Sequence, residues 1–145
     1  MEVIAAERIH SAIDRAWTVA EERSYIESLG DREAMHVGVD SGSIVGLQIL
    51  DRWSSLLPSM AHVGQVGTFL LPAYRGMGIG GRLWAVTASF ARRQGYRKLV
   101  IQVRASNESA QGYYRGLGFK ECGLLSQQVI IDGVADDEVL MEMFL

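Results

Sequence analysis

The chain has a single cysteine, Cys122, so no intramolecular disulfide framework holds it together. Two prolines in 145 residues exclude a proline-rich, low-complexity composition. No uninterrupted apolar run approaches the roughly 18 residues of a membrane-spanning helix. The opening MEVIAAERIH puts charges where a secretory signal needs an apolar stretch, so a reducing, cytoplasmic setting is expected. Carboxylates are missing from one long stretch: between Arg52 and Asn107 there is no Asp or Glu. Arg52, Arg75, Arg82, Arg92, Arg93, Arg97, Lys98 and Arg104 give those 56 residues a charge of +8, and the remainder carries −11 against a net −3. The acidic total predicts no nucleic-acid partner. The basic middle suggests a polyanionic ligand held centrally, with scattered solvated arginines as the plainer reading.

What is present reads as globular. The chain is 48% hydrophobic and 21% charged, and its length predicts one domain, residues 1–145, able to bury a core unaided. Glycine is the outlier: 16 of 145 residues, with Gly76, Gly78, Gly80 and Gly81 falling within six positions, against average usage near 7%.

Ile9, Ile13, Ala16 and Trp17 recur at helical spacing. Thr18-Val-Ala-Glu21 fits a capping box opening a second helix that stops near Gly30. Met35–Val39 and Ile44–Leu50 read as strands joined by a turn at Asp40-Ser41-Gly42-Ser43. Ser54–Ala61 is a loop and His62–Leu71 a third strand. A helix follows the glycine cluster with Leu83, Val86, Phe90 and Ala91 on one face and Gly95 at its end. Lys98–Val103 is a short apolar strand, and Asn107 caps a helix ending at Gly118. Ser126–Ile131 and Ala135–Phe144 flank an Asp132-Gly133 turn. The fold class is therefore α/β, a mixed sheet with helices on both faces.

VGTFLLPAYRGMGIGGRLW carries a strand into a glycine-dense turn and then directly into a helix. Glycine lets successive N–H groups converge and a ligand approach the main chain. The helix N-terminus and the charges of Arg75 and Arg82 make this a cradle for phosphate or pyrophosphate; a tight strand-to-helix turn is the structural alternative. Gly76-x-Gly78-x-x-Gly81 formally matches a dinucleotide fingerprint. That reading needs a carboxylate at the end of the next strand, where Val103-Arg104 has none. No Gly-Lys-Ser/Thr is present, so the P-loop signature is absent as well, and both nucleotide readings are weak.

In the other register, Arg75-x-x-Gly78-x-Gly80 resembles the acyl-CoA motif of the GNAT superfamily of N-acetyltransferases. Downstream, VRASNESAQGYYRGLGF resembles that family's second signature at Asn107, Ala110, Tyr114, Leu117, Gly118 and Phe119. The likeness runs from about Met35 to the C-terminus. The family usually opens with a strand; here only Glu2–Ile4 could supply it, so the first strand is short or missing. The resemblance implies acetyl-CoA as co-substrate and no metal. It implies that the pantetheine arm bonds the main chain of Thr68, Phe69 and Leu70, on a strand splayed at Gly67 and Gly64 unless those glycines serve close packing. It implies that the pyrophosphate lies on the N–H groups of Arg75, Gly76, Met77, Gly78, Ile79 and Gly80, and that Asn107 contacts the cofactor as well as capping its helix.

Acyl transfer from a thioester to an amine needs an amine freed of its proton, donors for the oxyanion and a proton for the departing thiolate. The resemblance assigns the oxyanion to the backbone N–H of Leu70 and the thiolate's proton to Tyr114, whose phenol lies within reach of a thiol's pKa; the alternative for Tyr114 is a core aromatic. Tyr113, about 100° round the helix, faces elsewhere. Relatives that acetylate protein N-termini carry a Glu five residues before the Asn, where this chain has Gln102. That leaves a water positioned by Gln102, or an acid such as Glu138, to handle the amine's proton. Asp136-Asp137-Glu138 reads by default as a solvated strand end, with a meeting point for a cationic amine acceptor as the alternative. His62, alone on its strand, reads as a half-exposed histidine.

Gly112 and Gly116 leave a bare stripe on their helix, read as a close approach of a strand, the cofactor or a second subunit, which would make a homodimer. The acceptor is an amine, a small molecule or a protein N-terminus. A non-catalytic acyl-CoA-binding module of the same fold is the first rival reading, made plausible by the absent base, and a nucleotide or dinucleotide binder the second.

Overall fold

The computed structural model describes residues 2–8 and 12–145. Its elements are α1 (Glu2–Ala6), α2 (Val19–Ser28), β1 (Ala34–Asp40), β2 (Ser43–Arg52), β3 (Val63–Leu70), α3 (Ile79–Arg93), β4 (Lys98–Arg104), α4 (Glu108–Leu117), β5 (Lys120–Ile131) and β6 (Val134–Phe144), with 3-10 turns at Pro58–Met60 and Pro72–Tyr74. The strands form a six-stranded mixed sheet in the order β1-β2-β3-β4-β6-β5. The chain divides into two compact units, Thr18–Leu99 with Phe144–Leu145, and the N-terminal segment to Trp17 with Val100–Met143.

In the first unit, α2 starts on the predicted capping box: Thr18 Oγ1 accepts from the Glu21 N–H, and the Glu21 carboxylate accepts from the Thr18 N–H at 2.7 Å. β1 and β2 close as an antiparallel hairpin in which Asp40 faces Ser43. Ser41 and Gly42 both take positive φ, 48° and 82°, as a two-residue turn matched to strand twist requires. β2 and β3 then pair without a register shift from Gly46 opposite Leu70 to Arg52 opposite Gly64. β3 shows no bulge against β2 at Gly64 or Gly67, and Gly64 is closely packed. A Cβ there would come within 2.9 Å of methyl groups on Leu50 and Leu99 and 3.1 Å of the Tyr96 ring, all core atoms.

α3 buries Ile79, Leu83, Thr87, Ala88 and Ala91. Thr87 takes the place expected of Val86, which is half exposed. Ile79 and Leu83 pack with Val45, against which Leu70 and Tyr74 also rest. The helix ends in a left-handed Gly95 (φ 78°), with Tyr96 N–H donating to Ala91 C=O and Gly95 N–H to Arg92 C=O, the two bonds of a Schellman motif.

In the second unit, Glu2–Ala6 is helical and buries Ile4 and Ala5, so of the two alternatives for an opening strand at Glu2–Ile4, short or missing, the second holds. The helical spacing at Ile13, Ala16 and Trp17 yields no helix either, and Ile9 lies outside the described residues. The carbonyls of Asp14 and Ala16 are taken instead by the guanidinium groups of Arg8 and Arg15. β5 and β6 form a hairpin about Asp132 and Gly133, again both at positive φ. β5 begins at Lys120, well before the predicted Ser126, and its register shifts twice: between Glu121 and Gly123, and between Leu125 and Val129.

Candidate functional site

The anion cradle belongs to the first unit. Beyond β3 the chain turns through Pro72–Tyr74, and Arg75 N–H donates to the Pro72 carbonyl. Arg75 then folds back, its Nε donating to the Leu70 carbonyl at 3.1 Å, which ties the turn to the end of the strand. Gly76 (φ 72°) and Gly78 (φ 77°) occupy the left-handed region, where any other residue is strained. Gly78 is the N-cap of α3 and no side chain caps it. A Cβ built at Gly76, Gly78 or Gly81 meets nothing within 4 Å, so the main chain there faces open space. Arg82, in the first turn of α3, is exposed and adds its charge to the positive end of the helix. Met77 projects into solvent at 63% exposure; Ile79 is buried in the core, leaving its backbone as the part a ligand can use. An open main chain, a helix N-terminus without a side-chain cap and a nearby arginine charge are features an anion can use.

Leu71 N–H bonds the Val45 carbonyl, so the alternation of an antiparallel pair turns the N–H and C=O of Leu70 away from β2. Thr68 and Phe69 are, like Leu70, partly exposed, and the Thr68 hydroxyl accepts from Gln48 Nε2 at 2.8 Å. His62, the predicted start of this strand, is exposed in the turn just before β3.

Beside α3 the first unit also holds a cavity of about 660 Å³, walled by β1 and by residues that include Val39, Tyr74, Arg82 and Val86. His36 on its floor places Nδ1 3.0 Å from the Thr87 hydroxyl, and burial, then the charge of Arg93, lowers its pKa. No local signal announces this cavity; it depends on β1 ending the sheet.

The second unit gathers its polar groups where β4 leads into α4. Asn107 is buried and caps α4, its Oδ1 accepting from Ala110 N–H at 3.0 Å, while its own N–H bonds Arg104 C=O. Gln111 Nε2 donates to the carbonyls of Arg104 and Ala105, locking the helix to the strand end. Tyr114 is 5% exposed, its ring 4.9 Å from that of Tyr113 and edge-on to Phe119 at 5.5 Å. It faces inward where Tyr113 does not, and any role in proton transfer runs through a ring that is also part of the core. Gln102 lies partly buried on β4. Around Gly112 and Gly116 an added Cβ meets nothing within 4 Å, so no described segment of the chain packs on that stripe.

The acidic run is not a solvated strand end. Asp136 accepts from Arg104 Nε at 2.8 Å and from the Ser106 hydroxyl at 2.6 Å. Burial pushes its carboxyl up, but those two donors outweigh it and hold the pKa below the usual range. Glu138 is buried at 8% exposure, and desolvation, reinforced by Asp136 and opposed by Arg104, raises its pKa. Among the described residues no three His, Cys, Asp or Glu side chains converge as metal ligands, and no helix is long and apolar enough to cross a membrane.

Comparison with known proteins places the chain. The family model described as Acetyltransferase (GNAT) family matches residues 5–119. The N-alpha-acetyltransferase RimI of Mycobacterium tuberculosis is 33% identical over 99 residues, covering 68% of this chain and 60% of the mycobacterial protein. Among solved structures, a ribosomal-protein-alanine N-acetyltransferase from Brucella melitensis superposes with a TM-score of 0.89 at 21% identity, over 99% of this chain and 90% of the other. A GNAT superfamily phosphinothricin acetyltransferase from Sinorhizobium meliloti, solved in complex with acetyl-CoA, gives 0.88 at 19% identity, over 99% and 80%. With the family model spanning most of its length and the glycine cradle and Asn107-capped helix in the matched region, the chain belongs to the GNAT acetyltransferase family.

Proposed function

We propose that residues 1–145 work as one acetyl-CoA-dependent N-acetyltransferase domain that moves an acetyl group to a primary amine. The observation that carries this reading is the open main chain at Gly76 and Gly78, running into the uncapped N-terminus of α3 beside Arg82. Those features fit the pyrophosphate of coenzyme A: dense N–H donors, fixed positive charge, and no side chain in the way. Acetyl-CoA supplies the thioester to be opened. The N–H groups from Gly76 to Gly80 hold its diphosphate, the N–H of Arg75 being taken by the Pro72 carbonyl; the main chain of Thr68 and Leu70 holds its pantetheine arm, since the alternation that frees these two turns Phe69 toward Leu47 on β2; and Asn107 contributes from the start of α4. Leu70 N–H, turned away from β2, donates to the acyl oxygen as negative charge gathers there. Tyr114 gives a proton to the departing sulfur. The acceptor is a protein N-terminus or a small amine, and the named activity of the mycobacterial relative favours the N-terminus.

The test pairs binding with turnover. Calorimetry is expected to show acetyl-CoA binding to the wild type, and free-thiol release to rise on adding peptides with free Ala, Ser or Met N-termini or a panel of small amines. Tyr114→Phe is expected to bind acetyl-CoA as before while kcat falls by about 10²–10⁴, the range of positioned acid catalysis. Equal turnover in wild type and variant refutes the role of Tyr114. Binding with no amine-dependent thiol release marks a non-catalytic acyl-CoA module, and thermal stabilisation by NAD or ATP in place of acetyl-CoA points to a nucleotide binder.

A further inference from the structure

Resting on the N-acetyltransferase reading, we propose that Glu138 is the general base that takes a proton from the acceptor's ammonium group, a step that Gln102 cannot perform.

The argument begins with strand alternation. On β6, Val139 and Met141 point into the core, so Asp136 and Glu138 share the opposite face. On β4, alternation puts Leu99, Ile101 and Val103 on one face and Val100, Gln102 and Arg104 on the other, which is polar from Gln102 onward. The Arg104–Asp136 ion pair shows that these two polar faces are one, and Ala105 N–H bonding Asp137 C=O at 2.8 Å fixes the strand ends against each other. Glu138 therefore lies on the face that carries Gln102, at the end of β4 where Asn107 and α4 begin.

Its surroundings distinguish it from its neighbours. A carboxylate this deeply buried is ordinarily paired. Asp136 is paired, having taken both Arg104 and Ser106; Asp137 accepts the Gln127 N–H at 2.7 Å. Glu138 accepts no hydrogen bond from any described residue. The charged groups that face it are Arg104 on β4 and Asp136 on β6, while Leu125, opposite it on β5, is apolar. Immediately beyond Leu125 the β5 register breaks, with Gln127 at φ 51°, a bulge of the kind found beside functional sites. A desolvated carboxylate with a raised pKa and no resident donor is poised to bind an ammonium group and accept its proton.

The proton balance closes. Glu138 carboxylate takes one proton from R–NH3+, leaving the amine lone pair free to form the C–N bond to the acyl carbon. The C–S bond breaks, the thiolate takes up a second of the nitrogen's protons by way of Tyr114, and Glu138 returns its proton to water. The sum is ammonium plus thioester giving amide, thiol and one released proton.

Glu138→Gln keeps the side chain's shape and tests the assignment. Using an acceptor on which the wild type turns over, kcat/KM near neutral pH is expected to fall at least a hundredfold. The acidic limb set by a carboxyl should disappear, activity should climb with pH as free amine accumulates, and acetyl-CoA affinity should stay unchanged. Glu138→Asp is expected to recover part of the rate. Asp136→Asn removes the like charge and leaves Arg104 to act on Glu138, so the wild-type acidic limb should move to lower pH. A Glu138→Gln enzyme with the wild-type rate and acidic limb overturns the proposal, as does a loss confined to KM or to melting temperature. A wild type without amine-dependent turnover instead refutes the acetyltransferase reading itself.

Discussion

Gly78 and Gly95 stand at opposite ends of α3 with nearly the same backbone angle, φ 77° and 78°, and an added Cβ meets nothing within 4 Å at either. This makes them a matched pair. Changing either to alanine forces a non-glycine residue into the left-handed region, a penalty of about 1–2 kcal/mol. For a chain of this length that corresponds to a fall in melting temperature of about 4 °C per kcal/mol. The two variants should therefore melt together, some degrees below the wild type. Their ligand binding should diverge. A methyl group at Gly78 lies where the main chain has to approach the diphosphate, whereas one at Gly95 lies a helix length away. Losing one hydrogen bond to a charged group is worth about 1.5–3 kcal/mol, so Gly78→Ala should weaken acetyl-CoA about tenfold to a hundredfold or more. Gly95→Ala should bind as the wild type does. Calorimetry on the three proteins, with melting curves alongside, decides the matter. Equal affinity in both variants refutes the cradle.

Two further predictions concern stability. Gly64→Ala places a Cβ against Leu50 and Leu99, both fully buried, and is expected to lose about 1–3 kcal/mol in chemical denaturation, as overpacking does. Glu33 bridges the turn after α2 and the end of β2, accepting from the N–H groups of Gly30 and Arg52 and from the Arg52 guanidinium. Burial pushes its carboxyl up, but these donors outweigh it and hold the folded-state pKa below the usual value. Its contribution is therefore complete above the unfolded pKa and is lost as pH falls through the folded one. Melting temperature measured from pH 7 to pH 3 should decline more steeply in the wild type than in Glu33→Gln; parallel curves contradict this.

What the sequence revealed was mostly backbone chemistry. The capping box at Thr18, the turns at Gly42 and Gly133, the glycines before α3 and the Asn107 cap are each specified by a few adjacent residues, and each formed as predicted. What it concealed depends on partners far along the chain. At Gly64 bulge and close packing read equally well, because the three side chains that crowd it come from β2, β4 and the loop before β4. Lys120–Leu125 carries little alternation because nearly all of it is exposed, so the start of β5 was unreadable. Ile13, Ala16 and Trp17 had the right spacing, yet arginine side chains claimed the carbonyls a helix would have used. Glu138 sat in a run that reads as solvated, and only the pairing of Asp136 with Arg104 and the burial of β6 set it apart.

β1 ends the sheet, with one row of its amide groups unpaired among the described residues. Such a rim is a template on which another chain can lengthen the sheet. Here it comes with its own safeguard. The register against β2 slips between Gly38 and Val39, and the strand closes on Asp40, whose carboxylate accepts from the Tyr74 hydroxyl. The straight portion open to a stranger is thus only Ala34 to Gly38, too short to seed a stable cross-β stack, and a kink followed by a fixed negative charge guards the remainder against self-association.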